Sequence, residues 1–192
     1  MRASRPNAPA AEAGTSAART KTVLLVIDMI EGFCVAGNPL YVGPQVERTV
    51  AFIRRKIEER NQAGERVYFT GCAHRRDDPE FQMFPPHCIK GTREARVVAP
   101  LRDVARRGRY FAKTRYSGFH GTRLGPALAR LRPDVVEVTG VCTNICVFFT
   151  VEELRNRDYT VVVYRQGVTS FDAAAHRFAL RQMQNVLGAR VV

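Results

Sequence analysis

Cys146, Asp28 and Lys113 are the residues in this 192-residue chain whose types and surroundings could make and break a covalent bond. Cys146 lies in the run Val-Val-Glu-Val-Thr-Gly-Val-Cys-Thr-Asn-Ile-Cys-Val from Val135 to Val147. There a β-branched stretch is broken by Gly140 and gives way to a helical pattern, so the cysteine falls at a strand-to-helix junction. A thiol in the first turn of a helix faces unsatisfied N–H groups and the positive end of the helix dipole, which favours the thiolate. The competing reading is a packed, inert cysteine, with Thr143 and Asn144 simply capping the helix. Asp28 ends the apolar run Thr-Val-Leu-Leu-Val-Ile, where a carboxylate is either paired or working, because burying it alone is costly. Lys113 closes another strand-like segment. A carboxylate, an ammonium and a thiol meeting in one crevice would provide a base, a fixed positive charge and a nucleophile.

The elements that must bring them together are legible as an alternation. Strands are expected at Lys21 to Ile30, Arg66 to Thr70, Gly108 to Lys113, Asp134 to Val141 and Tyr159 to Tyr164, with a short terminal strand at Arg190 to Val192. Helices are expected at Gln45 to Ala63, Thr122 to Leu131, from Cys146 to about Arg157, and at Asp172 to Leu187. The first helix carries Val46, Val50, Ile53 and Ile57 at helical spacing. Continuous apolar strands alternating with helices call for an α/β fold: a mostly parallel central sheet with helices on both faces, a Rossmann-like three-layer sandwich. Such sheets place ligands at the carboxyl ends of their strands, where Asp28, Lys113 and Cys146 all fall. Residues 71–92, broken by Pro79, Pro85 and Pro86, form a long loop carrying His74, Glu80 and His87, three side chains able to bind a metal.

Composition narrows the field. At 45% apolar residues the chain can build one core, and no segment is long and apolar enough to span a bilayer. Residues 1–20 read as a flexible leader without the apolar core of a secretory signal, followed by one domain over 21–192. Five cysteines, an odd number scattered through a full-sized domain, argue against a disulfide framework and for a reducing cytoplasm. A net charge of +12 raises nucleic acid as a partner, but the arginines are spread over every segment rather than clustered in a binding motif. No glycine-rich turn follows the first strand and no Walker lysine exists, so no nucleotide cofactor is expected. Cys142 and Cys146 are four apart and do not form the Cys-x-x-Cys motif of a redox pair.

Three ordered segments then carry a resemblance: Val-Ile-Asp-Met-Ile-Glu-Gly-Phe at 26–33, Lys-Thr-Arg-Tyr-Ser-Gly-Phe at 113–119, and Gly-Val-Cys-Thr-Asn-Ile-Cys-Val at 140–147. Together the sequence resembles the isochorismatase-like cysteine hydrolases, and Phe-Pro-Pro-His-Cys-Ile-Lys-Gly-Thr at 84–92 leans towards their nicotinamidase branch. The resemblance implies Asp28, Lys113 and Cys146 as catalytic triad, a cis peptide between Val141 and Cys142, and the backbone N–H groups of Cys142 and Cys146 as oxyanion donors. It implies Phe33, Phe84 and Tyr116 as walls of a substrate pocket, to which Phe119 is a weaker candidate. It further implies a Zn2+ or Fe2+ ion held by His74, Glu80 and His87. Where the family has an aspartate ligand this chain has Cys72, which either substitutes as a zinc ligand or is buried and inert. The implied activity is hydrolysis of a small-molecule amide, nicotinamide first, in a homo-oligomeric enzyme. The alternatives are a carbamoyl or ureido amide on the same fold, and a catalytically inactive scaffold that binds a partner. Isochorismate hydrolysis is disfavoured, since the enzymes performing it lack the nucleophile.

Overall fold

A computed structural model describes residues 20–192, so nearly all of the leader expected at the amino terminus lies outside the described residues. Six strands form one parallel sheet in the order β3-β2-β1-β4-β5-β6. They are β1 (Thr22–Ile27), β2 (Arg66–Cys72), β3 (Arg109–Lys113), β4 (Val135–Val141), β5 (Val161–Thr169) and β6 (Arg190–Val191). The helices are α1 (Glu31–Cys34), α2 (Val46–Gln62), α3 (Arg102–Ala105), α4 (Leu124–Leu131), α5 (Phe148–Arg155) and α6 (Ala173–Asn185).

β1 shows why the sheet has two covered faces. Its six residues are all buried, and successive side chains point to opposite sides. Val23, Leu25 and Ile27 pack with Leu124 and Leu128 of α4, Val151 and Leu154 of α5, and Leu180 and Met183 of α6. Leu24 and Val26 pack with Val46, Val50, Ile53 and Ile57, the helical stripe of α2. Each such side chain contributes roughly 1.5–3 kcal/mol when fully buried, which makes β1 a rigid platform for the aspartate at its end. The one charged residue inside β4, Glu137, is held by Nε and Nη2 of Arg60 at 2.8 and 2.9 Å and by the Tyr164 hydroxyl at 2.7 Å.

From β1 the chain builds outward to β2 and β3, then returns to β4 on the other side and continues to β5 and β6. The reversal lies between β1 and β4, and a crevice opens at their carboxyl ends. There the two strands approach so closely that a Cβ on Gly140, whose φ is +123°, would collide with the backbone of Ile27. Asp28, the residue after β1, also has positive φ, at 54°.

Several boundaries differ from the sequence expectation. β2 continues to Cys72, and β5 starts at Val161 and runs on through Arg165 and Gln166 to Thr169. The helix expected to begin at Cys146 is a wide π-type turn over Thr143–Val147, with α5 starting only at Phe148. A regular helix would draw this segment's hydrogen bonds from consecutive turns. Here the N–H groups of Ile145 and Val147 both donate to the Cys142 carbonyl, so the turn is wider. α1 and α3, four residues each, have no periodicity long enough to read.

Candidate active site

Asp28, Lys113 and Cys146, far apart in sequence, converge because β1, β3 and β4 end on the same edge of the sheet. Lys113, the last residue of β3, reaches inward so that its Nζ lies 2.8 Å from Asp28 Oδ2. Both side chains are fully buried. The same ammonium donates to Cys72 Sγ at 3.1 Å and to Cys146 Sγ at 3.5 Å. Asp28 Oδ1 accepts the backbone N–H of Cys72 at 3.0 Å, and the reacting atoms of Asp28, Cys72 and Cys146 all lie within 4.8 Å of one another.

The turn bearing Cys146 is fastened from three sides. The Thr150 hydroxyl donates to the Cys146 carbonyl at 2.6 Å and accepts the Gly118 N–H at 2.9 Å, tying the turn to the loop that follows Lys113. Ser170, just past β5, bonds Asn144 at 2.6 Å, and His176 of α6 bonds Thr143 at 2.8 Å. Thr143 and Asn144 therefore secure the turn through tertiary contacts instead of capping a helix. The Val141–Cys142 peptide is cis, as the resemblance implied.

Burial and neighbouring charge set the protonation states. Burial, reinforced by the Cys72 sulfur, pushes Asp28 up to about 7 even though Lys113 pulls the other way. Cys146 is raised well above an ordinary thiol by its hydrogen bond to Cys72, by burial and by the Asp28 carboxylate. This reverses the expectation of a thiol lowered by a helix start: the turn is not a helical N-terminus, and the Cys72 sulfur, burial and the Asp28 carboxylate together outweigh the pull of Lys113. Cys72, nearer the ammonium and hydrogen-bonded to Cys146, is correspondingly lowered. Of the two sulfurs, the surroundings thus favour the thiolate at Cys72 and the thiol at Cys146.

A second cluster lies beside the first. His74, Glu80 and His87 are all buried, and one ligand atom of each lies within 4.8 Å of the others. His74 Nδ1 is bonded to Asp78 Oδ2 at 3.0 Å and His87 Nδ1 to the Pro85 carbonyl at 2.9 Å, which turns both Nε2 atoms towards Glu80. His74 Nε2 and Glu80 Oε2 are buried without a hydrogen-bond partner. Histidines each fixed through Nδ1 by an acceptor, with orphaned donor atoms facing a common point, fit a divalent metal. Cys72 stands between the clusters: two residues before His74 in sequence, it groups by its sulfur with Asp28 and Cys146. Asp78 was missed in the sequence. It orients His74, accepts the Glu80 N–H at 3.0 Å and binds Arg115 at 2.9 Å, and its only sequence signal was the helix-starting Asp-Pro pair.

The cavity over these groups is lined by Phe33, Phe84, Tyr116, Cys72, Cys142 and Cys146, with Glu80 and His87 on the side of the second cluster. The three aromatics expected there are present, and Leu40, Ile145 and Phe171 join them. Phe119 is elsewhere, packed on the core with the Arg157 guanidinium 4.5 Å above its ring.

A profile of the isochorismatase domain matches residues 22–192. The chain belongs to the isochorismatase domain family. Among its relatives, the isochorismatase family protein PncA of Bacillus subtilis (strain 168) is 32% identical over 180 residues, covering 89% of this chain and 98% of that protein. The crystal structure of nicotinamidase PncA from Bacillus subtilis superposes with a TM-score of 0.86 at 29% identity, over 90% of this chain and 99% of that one. N-carbamoylsarcosine amidase from Thermoplasma acidophilum superposes at 0.79 with 29% identity, over 90% and 95% of the two chains. Membership in the isochorismatase family thus spans the whole sheet and every residue of both clusters.

Proposed function

We propose that this chain is a cysteine amidohydrolase that converts nicotinamide to nicotinate and ammonia. The observation that carries the reading is the contact of Asp28, Lys113 and Cys146 at the floor of an aromatic-lined cavity. Likeness to nicotinamidase PncA supports it.

Asp28 takes the proton of the Cys146 thiol, and the sulfur attacks the amide carbonyl. The backbone N–H groups of Cys142 and Cys146 receive the oxyanion. Asp28 returns the proton to the departing ammonia, then draws one from the water that opens the thioester. A carboxyl group titrating near 7 is suited to both roles, since neither form is costly at neutral pH. Lys113 remains charged and offsets the negative charge as it passes between oxygen and sulfur. Phe33, Phe84 and Tyr116 wall a flat ring. His74, Glu80 and His87 would hold a Zn2+ or Fe2+ ion, which when bound supplies a Lewis acid for a pyridine nitrogen.

Cys72 favours a second reading, a carbamoyl or ureido amide as substrate, because its sulfur is committed to Lys113 and leaves the metal cluster with three donors. Ammonia release, measured on purified protein against nicotinamide and a panel of carbamoyl and ureido amides, tests both. Turnover of nicotinamide at least tenfold above every other amide is expected. Preference for a ureido amide transfers the assignment, and inertness across the panel, with Cys146→Ala indistinguishable from the parent, leaves a partner-binding scaffold.

The enzyme is further proposed to work in the cytoplasm, where its five free, buried cysteines stay reduced. None of the helices in the described residues is long and apolar enough to cross a membrane. A homo-oligomer is proposed as well, supported by the exposed rings of Phe149, Phe171 and Phe178, which a second copy could cover.

A further inference from the structure

Cys72 has no role in the hydrolysis as written, and its fold contact does not require sulfur: the bond to Asp28 Oδ1 comes from its backbone N–H. Yet its Sγ lies within 4.8 Å of Cys146 Sγ, and both sulfurs share the Lys113 ammonium, at 3.1 and 3.5 Å. Both also line the same cavity, so a small reagent that reaches one thiol meets the other. The two come from opposite sides of β1, Cys72 from the end of β2 and Cys146 from the turn after β4. A disulfide needs the sulfurs at about 2.05 Å, so the two must still move together from the separation seen here.

We propose that Cys72 is a resolving thiol, so that a hydroperoxide entering the cavity oxidises Cys146 and the product is captured as a reversible Cys72–Cys146 disulfide. In the first step the Cys146 sulfur, having given up its proton, attacks a peroxide oxygen. An S–O bond forms, the O–O bond breaks, and the departing hydroxide or alkoxide takes a proton. The sulfur is oxidised by two electrons and the peroxide reduced by two. In the second step the Cys72 thiolate attacks the Cys146 sulfur, the S–S bond forms, the S–O bond breaks, and the departing hydroxide takes a proton from solvent to leave as water. An exogenous dithiol reverses the change by exchange. The capture stops hydrolysis while it lasts and spares the nucleophile from sulfinic acid, which thiols do not reverse. It takes from the proposed function only that Cys146 is the reactive thiol, and depends neither on which amide is cleaved nor on turnover itself.

The test is a peptide map of the purified full chain after hydrogen peroxide, with free thiols then blocked by an alkylating agent. The expected product is a cross-linked peptide pair joining residues 72 and 146, lighter by two hydrogens than the dithiol and lost on treatment with dithiothreitol. In Cys72→Ser the same dose carries Cys146 on to sulfinic acid, and dithiothreitol restores about a tenth or less of its free thiol. Wild-type protein showing sulfinic acid at Cys146 without the cross-link, or a Cys142–Cys146 bridge in its place, overturns the proposal, as does full recovery of Cys146 in Cys72→Ser. The wild-type map decides even if that variant fails to fold. A 72–146 cross-link in protein whose dithiothreitol-reduced form hydrolyses no amide would sink the hydrolase reading and leave this one standing.

Discussion

Replacing Asp28 with asparagine separates the two effects this carboxylate has on Cys146. As base and acid it moves the protons of both half-reactions; as a buried negative charge it opposes formation of the thiolate. Loss of a general acid–base costs typically 10²–10⁴-fold, and because Asp28 serves twice the upper end applies: about 5 kcal/mol, at 1.36 kcal/mol per decade. The electrostatic effect runs the other way. Two charges about 4 Å apart interact by about 4 kcal/mol at an effective dielectric of 20. The Lys113 ammonium, 2.8 Å from the carboxylate, screens most of that. If a third survives, about 1.4 kcal/mol, the Cys146 thiolate is favoured about tenfold and its alkylation at pH 7 speeds up by as much. The assay pairs ammonia release with iodoacetamide labelling of Cys146, read by peptide mass, on protein whose circular dichroism is native. Amide turnover within tenfold of wild type, or slower labelling of Cys146, would refute the reasoning.

Three further outcomes are expected from the same geometry. kcat/KM should rise with pH along a limb of unit slope with its midpoint near 7, because Asp28 works as carboxylate and burial raises its pKa to about 7; a pH–rate profile with a limb near 4 would contradict this. By the same shift, the stability Asp28 contributes is full below pH about 4 and is lost as pH rises through about 7. Elemental analysis of protein purified without a histidine tag should find stoichiometric zinc or iron that falls in His87→Ala, with a lower melting temperature after chelation; absence of stoichiometric metal counts against nicotinamide. Arg60→Met should cost about 3 kcal/mol in chemical unfolding by stranding buried Glu137, and Arg60→Met with Glu137→Leu should regain most of it.

What the sequence determined by itself comes from local pattern. Continuous apolar runs buried on both faces made the strands readable, and the spacing of Val46, Val50, Ile53 and Ile57 made α2 readable. Because alternating strands and helices enforce a parallel sheet, the strand-end positions of Asp28, Lys113 and Cys146 were already enough to expect them in one crevice. Polar continuation of β5 through Arg165 and Gln166 was unreadable, since backbone pairing, not side-chain burial, keeps the strand going: the Arg165 N–H donates to the Val192 carbonyl at 2.7 Å, and pairing with β4 resumes at Val168. The tertiary structure alone decided the sense of the Cys146 shift and where Cys72 belongs. Both depend on which charges lie within a few ångströms across β1. Such distances are set by packing between strands that are remote in sequence, and neither composition nor periodicity encodes them.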